Sequence, residues 1–174
     1  MRLKQIHVCL LFAASMLGCT EVSQKPTELA DTSFSVSDQV AIKALVDDYA
    51  VYRDSLDGDG YANLFAPNGK FHFRGNVFQG YEALKKRIDD TDPTFTTMHQ
   101  MATGQISINE DGTASGIHYA TIYSHASDTP RQEGESRNLE SFAVMGRYID
   151  EYVLTDQGWK FADRRFQPSI VPEE

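Results

Sequence analysis

The chain has 174 residues, 41% of them hydrophobic, and a net charge of −9. A chain of this length and composition can bury one hydrophobic core of ordinary size. Its negative charge disfavours electrostatic binding to nucleic acid or anionic lipid. Its two cysteines, Cys9 and Cys19, both lie near the N-terminus, so the rest of the chain must be held together by core packing without disulfides.

The first 18 residues predict an export signal. Arg2 and Lys4 precede an apolar run at residues 8–17, which is too short for a permanent membrane span and is typical of a secretory signal peptide. The junction Leu17-Gly18-Cys19 resembles the lipobox of bacterial lipoproteins. This resemblance implies cleavage before Cys19, lipidation of that residue, and a domain anchored at a membrane of the cell envelope, on the periplasmic side. An ordinary signal peptide with a chance cysteine is the alternative.

Residues 19–36 are polar and contain Pro26 and several Ser and Thr residues, so we expect a flexible tether between lipid and domain. A long amphipathic helix follows, which Ser37 can cap. Its apolar residues recur at spacings of three, four and seven, which predicts one buried face. They are Ile42, Leu45, Val46, Tyr49, Tyr52 and Leu56. We expect the helix to end at the turn sequence of residues 57–60.

The rest of the chain predicts two short helices, a hairpin and then a run of long strands. The helices are expected at residues 61–65 and 81–90, and the hairpin at 70–79. The long strands are expected at 95–109, 113–124, 138–154 and 159–167, with tight turns or polar loops between them. This order predicts an α+β fold for a domain at residues 37–168, followed by a short tail at 169–174.

Six short motifs occur along this domain, each weak by itself. They are LDGD at 56–59, LFAPNG at 64–69, GYEAL at 80–84, MHQM at 98–101, GRYID at 146–150 and GWKF at 158–161. Their order resembles the SnoaL-like branch of the NTF2-like superfamily. That resemblance implies a cone in which a curved antiparallel sheet wraps around the long helix and leaves a pocket at its open end. It also implies a homodimer through the convex sheet face. Such cones host several kinds of enzyme and also non-catalytic binders, so fold alone does not choose the function.

Asp57 and His99 are the leading candidates for catalytic residues. Asp57 falls about 20° from Val46 on a helical wheel, and His99 lies in an apolar, Thr-rich strand. A carboxylate beside an imidazole would orient it and favour its protonated form. The resemblance to the scytalone dehydratase group, whose catalytic aspartate and histidine match these two positions, points the same way. We therefore predict that Asp57 and His99 form a hydrogen bond in a closed apolar cavity. The alternatives are a turn residue and a structural strand histidine.

Further candidates for the pocket are aromatic or polar residues on the first helix and on two later strands. They are Tyr52, Tyr119, Tyr123, His125, Tyr148 and Asp150. Tyr148 and Asp150 share one strand face by the two-residue period, and His125 lies one residue away from a second catalytic histidine of the scytalone dehydratase group. Where that group has two water-holding tyrosines, this chain has Leu56 and Phe73, which puts the same dehydration mechanism in doubt.

The sequence contains no metal-ligand spacing, glycine-rich phosphate loop or G-x-S-x-G elbow, so we expect no metal and no cofactor. Two functions remain open. One is a lyase or isomerase for a small, mostly apolar, oxygenated molecule, with His99 as the acid and base, Asp57 orienting it, and Tyr or Arg side chains holding an oxyanion. The other is a lipoprotein that binds a ligand or an envelope partner without turnover.

Overall fold

A computed structural model of the protein describes residues 36–132, 134–138 and 141–171. The predicted signal peptide, Cys19 and all but the last residue of the predicted tether lie outside these ranges. Within them, none of the helices combines the length and the hydropathy that a membrane span requires.

Three helices occupy the N-terminal half of the domain. The first, α1 (Val36–Asp54), buries the predicted apolar stripe, including Ile42 and Tyr49. It ends before the predicted position, and Leu56 beyond it has a left-handed φ of 58°. The chain then re-enters a helix, α2 (Gly58–Asn63), and α3 (Tyr81–Asp89) follows the first hairpin.

Within the described ranges, six strands form one sheet in the order β2-β1-β6-β5-β4-β3. Their bounds are β1 Phe65–Phe73, β2 Asn76–Gln79, β3 Phe95–Ile108, β4 Ala114–Ala126, β5 Ser141–Thr155 and β6 Gly158–Ile170. All neighbours are antiparallel except β1 and β6, which pair in parallel. This parallel pairing extends β1 back to Phe65, which sequence placed in a helix, and β6 continues into the predicted tail.

The sheet curves around α1, because that helix contacts both the edge strand β3 and the distant strand β6. Tyr49 of α1 lies at the centre of the core, with its ring 5.3 Å from both the Tyr61 and the Tyr148 rings. Trp159 fixes the other end of α1, since its indole N–H donates to Asp38 Oδ1 at 2.8 Å. The predicted α+β cone is therefore confirmed, and Trp159 belongs to its buried core.

Candidate functional site

A cavity of about 700 Å³ lies between the end of α1, α3 and the concave face of the sheet. This volume is in the range that holds a small molecule. Much of its wall is aromatic or aliphatic, contributed by strands β1, β3, β4, β5 and β6 and by the last described residue. These wall residues are Phe71, Phe73, Phe95, Ile122, Val144, Phe166, Pro168 and Val171.

The polar part of the wall follows from the two-residue period of β3 and β4. Thr97 and His99 stand on one face of β3, opposite Ser124 and Ile122 of β4, and all four line the cavity. Because side chains on a strand alternate between faces, the intervening residue Met98 points to the outside, where it is 65% exposed.

His99 is held by a carboxylate from the last residue of α1. Asp54 Oδ1 lies 2.6 Å from His99 Nδ1, and Asp54 Oδ2 accepts the His99 backbone N–H at 2.6 Å. Thr97 Oγ1 donates to the same carboxylate at 2.8 Å. Since a carboxylate only accepts, Nδ1 carries the ring proton, and in the neutral ring Nε2 keeps its lone pair.

Burial makes His99 a base rather than an acid in the free protein. Only 6% of its side chain is exposed, and this burial lowers the pKa of His99 below its usual value of 6.5, against the opposing effect of Asp54. The positive charges of Arg53 and Arg164 lower the pKa further. The neutral ring is therefore the form present at pH 7. The Asp54 carboxylate does favour the protonated form, as a carboxylate partner should, but burial outweighs it.

Asp57 does not contact His99, and the predicted Asp57–His99 hydrogen bond is wrong. Asp57 is exposed and caps α2, where its Oδ1 accepts the Gly60 N–H at 2.8 Å. The helical-wheel argument failed because α1 has already ended at Asp54, so the phase of the helix does not extend to residue 57. The alternative interpretation, a turn residue, is correct.

Tyr148 lines the cavity, as predicted. Its hydroxyl donates to the Tyr49 hydroxyl at 3.4 Å, and burial raises the pKa of Tyr148, which therefore stays protonated. Because each hydroxyl of this pair has one proton, one O–H is not used between the two rings.

Asp150 shares the buried face with Tyr148 but lies behind the cavity wall. It accepts a hydrogen bond from Tyr152 Oη at 2.9 Å and lies 3.6 Å from Arg164 Nη1. The Arg164 guanidinium in turn stacks 3.9 Å from the ring centres of Tyr49 and Tyr148. Asp150 is thus part of the support of the wall, and its predicted place in the pocket is wrong.

Four other predicted pocket residues also lie outside the cavity wall. Tyr119, Tyr123 and His125 point away from it, because the period of β4 places Ile122 and Ser124 inward. Tyr119 is 55% exposed, whereas Tyr123 and His125 line a second groove, which adjoins the cavity at Thr97 and Ser124 and includes residues 135–138. Tyr52 packs against the core next to Gly60.

The sequence reasoning overlooked Asp54 and the arginines of the cavity, Arg53, Arg74 and Arg87. The position of Arg53 could have been predicted, because it lies four residues after Tyr49 and seven after Val46, on the apolar face of the helix. Across the described part of the chain, no three His, Cys, Asp or Glu side chains are grouped as metal ligands would be.

The sequence matches the family of SnoaL-like domains over residues 35–165, most of its length, so the chain belongs to that family. Among curated protein sequences, none matches it significantly.

Several solved structures share the fold. A variant of Rv3472 from Mycobacterium tuberculosis, a protein of unknown function, is 23% identical, with a TM-score of 0.65 over 79% of each chain. A putative scytalone dehydratase from Novosphingobium aromaticivorans is 19% identical, with a TM-score of 0.64 over 79% of this chain and 88% of its own. ActVI-ORFA from Streptomyces coelicolor is 15% identical, with a TM-score of 0.61 over 75% of this chain and 96% of its own. At such identities the likeness establishes the NTF2-like fold.

Proposed function

We propose that the domain is a cofactor-free enzyme that moves a proton on a small, largely apolar, oxygenated molecule. The observation that carries this proposal is the 2.6 Å contact between His99 Nδ1 and Asp54 Oδ1 at the wall of a cavity of about 700 Å³. His99 is the general base and then the general acid, and Asp54 is the residue that positions it.

The proposed step begins when His99 Nε2 takes a proton from a carbon next to a carbonyl group. The C–H electron pair moves into the carbonyl as an enolate, and an O–H of the Tyr49–Tyr148 pair donates to the developing oxyanion. The imidazolium then returns the proton to a leaving oxygen, which gives elimination of water, or to another carbon, which gives isomerisation. The step needs no further reactant, and the side chains are regenerated at its end.

The charges around His99 suit these two proton transfers. In the resting state His99 is neutral, because burial and two arginines lower its pKa. Once the ring has taken a proton, Asp54 faces the imidazolium directly and stabilises it. The same ring can therefore accept and return a proton near neutral pH, which is the requirement for this type of catalysis.

Deuterium exchange at carbon tests the proposal without knowledge of the natural substrate. The purified domain is incubated in D₂O with a panel of apolar carbonyl compounds such as 2-tetralone, and exchange of the acidic C–H is followed by NMR. We expect exchange that falls by about 10²–10⁴-fold in His99→Gln and by a comparable factor in Asp54→Asn. His125→Gln, which alters a histidine outside the cavity, is the matched control and should exchange normally. Exchange that persists in His99→Gln would refute the role of His99.

A binding protein without turnover is the second candidate. One observation favours it: Phe73 lines the cavity at a position where the scytalone dehydratase group, which this sequence resembles, has a water-holding tyrosine. Under this alternative, ligands bind the cavity equally well in wild type and His99→Gln, and no compound of the panel exchanges.

Export and lipidation remain proposals that rest on the N-terminal sequence alone. We expect the mature protein to begin at Cys19 and to carry acyl chains there. Mass spectrometry of the membrane-extracted protein would show the lipid, and a mature terminus at another residue would refute it.

A homodimer through the outer face of the sheet is also still a prediction. Exposed apolar side chains on this face support it, namely Met98, Ile117, Tyr119 and Met145. Light scattering of the purified domain should give twice the monomer mass, and Tyr119→Glu should shift it to the monomer.

A further inference from the structure

The cavity that we propose as the active site is lined by three arginines and, within the described residues, by no Asp or Glu. Arg53 comes from α1, Arg87 from α3, and Arg74 from the turn after β1. This arrangement is unusual in a chain with 25 acidic residues and a net charge of −9. The carboxylate beside the cavity, Asp54, already accepts three hydrogen bonds from Thr97 and His99.

Among the described residues, these arginines also have no carboxylate partner. No ion pair joins Arg53, Arg74 or Arg87 to a carboxylate in the part of the chain that the structure describes. The Nη1 atoms of Arg53 and Arg87 are buried, and no described residue offers an acceptor for their protons. A buried guanidinium without an acceptor is costly, and proteins avoid it unless something else supplies the acceptor.

Aromatic rings hold Arg87 in place without neutralising it. Its guanidinium carbon lies 4.5 Å from the ring centre of Phe71 and 5.3 Å from that of Phe73. Such contacts orient a cation and stabilise it in part, but they provide no oxygen to accept its N–H groups. The guanidinium of Arg87 thus lies at the cavity wall with its charge uncompensated by any carboxylate of the described residues.

Arg53 connects this positive wall to the reactive histidine. It directly precedes Asp54 in α1 and lines the same cavity as His99. Its charge is felt at the ring, since Arg53 contributes to the lowered pKa of His99. An anionic group held by Arg53 would thus place the adjoining carbon skeleton beside His99.

We propose that the ligand of this cavity is an organic acid, with a flat apolar body against the phenylalanine wall and a carboxylate bound by Arg53 and its neighbouring arginines. A planar carboxylate matches the fork of a guanidinium, which can donate two parallel hydrogen bonds to it. This inference rests on the proposed function in one respect only, namely that the same cavity is the active site. It adds the chemical class of the substrate, which the fold does not specify.

The test compares two fluorescent probes that differ in a single acidic group. These are 8-anilinonaphthalene-1-sulfonate, an anion, and N-phenyl-1-naphthylamine, which has the same body without the sulfonate. Each is titrated into the wild-type domain, Arg53→Gln, Arg53→Lys and the control Arg165→Gln, which removes an exposed arginine of β6. Met98→Gln, on the outer sheet face, measures any binding outside the cavity.

We expect wild type to bind the anionic probe about tenfold more tightly than the neutral one, since hydrogen bonds to a charged group are among the strong ones. Arg53→Gln should abolish that preference and leave the neutral probe bound within about twofold, whereas Arg53→Lys should keep part of it and both control variants all of it. Equal affinities of the two probes for wild type, or an unchanged preference in Arg53→Gln, would overturn the proposal.

Displacement of the anionic probe identifies the acid. 2-Naphthoate should displace it more effectively than 2-naphthamide, the matched neutral amide, and more effectively than 2-naphthyl phosphate. Stronger displacement by the phosphate would overturn the assignment to carboxylates. Because these are binding measurements, they also separate the two proposals: a preference for anions without any His99-dependent exchange would leave this inference standing and remove the catalytic one.

Discussion

At the scale of single residues, the pKa of His99 is set by burial, one carboxylate and two arginines. Burial lowers the pKa of His99, the Asp54 carboxylate raises it, and the charges of Arg53 and Arg164 lower it again. The largest of these effects is burial, so the ring rests in its neutral form with Nδ1–H directed at Asp54. Burial thereby outweighs the carboxylate, and the neutral ring can accept a proton.

We predict that Arg53→Gln raises the pKa of His99, because it removes a nearby positive charge that disfavours the imidazolium. Proton NMR titration of the His99 ring would measure the change, with Arg165→Gln as the control for a distant arginine. The prediction fails if Arg53→Gln leaves the His99 titration where it was or moves it downward.

At the scale of elements, the end of α1 determines which acid belongs to the site. The helix stops at Asp54, and that carboxylate crosses to β3 at the level of Thr97 and His99. Three residues later the side chain of Asp57 caps the next helix by accepting the Gly60 N–H. Two aspartates that are close in sequence therefore have unrelated contacts, one with His99 at the cavity wall and one with the backbone of α2.

Asp57→Ala should lower the free energy of unfolding by about 1 kcal/mol, the usual cost of losing an N-cap, and should leave the titration of His99 unchanged. Chemical denaturation followed by circular dichroism would measure the first effect and NMR the second. Asp57→Asn keeps an acceptor and should be close to wild type. A shift of the His99 pKa in Asp57→Ala, equal to the shift in Asp54→Asn, would restore Asp57 to the site.

At the scale of the whole molecule, a buried network of polar side chains behind the cavity makes the stability of the fold depend on pH. His118 Nε2 lies 2.9 Å from Tyr152 Oη, which donates to Asp150, and Asp150 lies beside Arg164. Burial lowers the pKa of His118 to about 4 and raises the pKa of Asp150 to about 6. The two groups therefore act on stability in opposite directions over nearly the same pH range.

The direction in which each group changes stability with pH depends on whether the folded or the unfolded chain binds its proton. Between pH 6.5 and about 4 the unfolded chain protonates His118 and the folded one does not, so acidification costs stability, by about 3 kcal/mol at most. Between pH 6 and 3.8 the folded chain protonates Asp150 and the unfolded one does not, so acidification restores a similar amount.

We predict that His118→Gln makes the domain more resistant to acid than wild type between pH 6.5 and 4, because the unfavourable group is gone and the favourable one remains. Thermal unfolding followed across this pH range would reveal the difference as a change of slope. His72→Gln, which removes a histidine whose side chain is 25% exposed and paired with Asp163, is the control. An identical pH slope in His118→Gln and wild type would contradict the prediction.

The fold could be predicted from sequence because its signals are local and repeated. The stripe from Ile42 to Tyr49 and the turns that separate the strands each depend on neighbours along the chain. The parallel pairing of β1 with β6 could not be predicted in this way, because Phe65 becomes a strand residue only when Phe161 lies beside it. His99 and Tyr148 could be chosen as site residues from strand period and residue type.

The rest of the site depends on features that the hydrophobic periodicity of the sequence does not reveal. Asp54 was overlooked because the last turn of α1 could not be placed to within three residues. Tyr119 and His125 were assigned to the cavity because a period of two shows which residues share a face and leaves open which face is inside. The arginines converge from three separate elements, which only the folded chain brings together.

The tautomer of His99 at pH 7 tests this account most directly. Nitrogen-15 chemical shifts of the ring in wild type should show a neutral imidazole with its proton on Nδ1 and a bare Nε2, and Asp54→Asn should disturb that assignment. A ring that is protonated on both nitrogens at pH 7, or that carries its proton on Nε2, would contradict the claim that Asp54 holds His99 ready as a base.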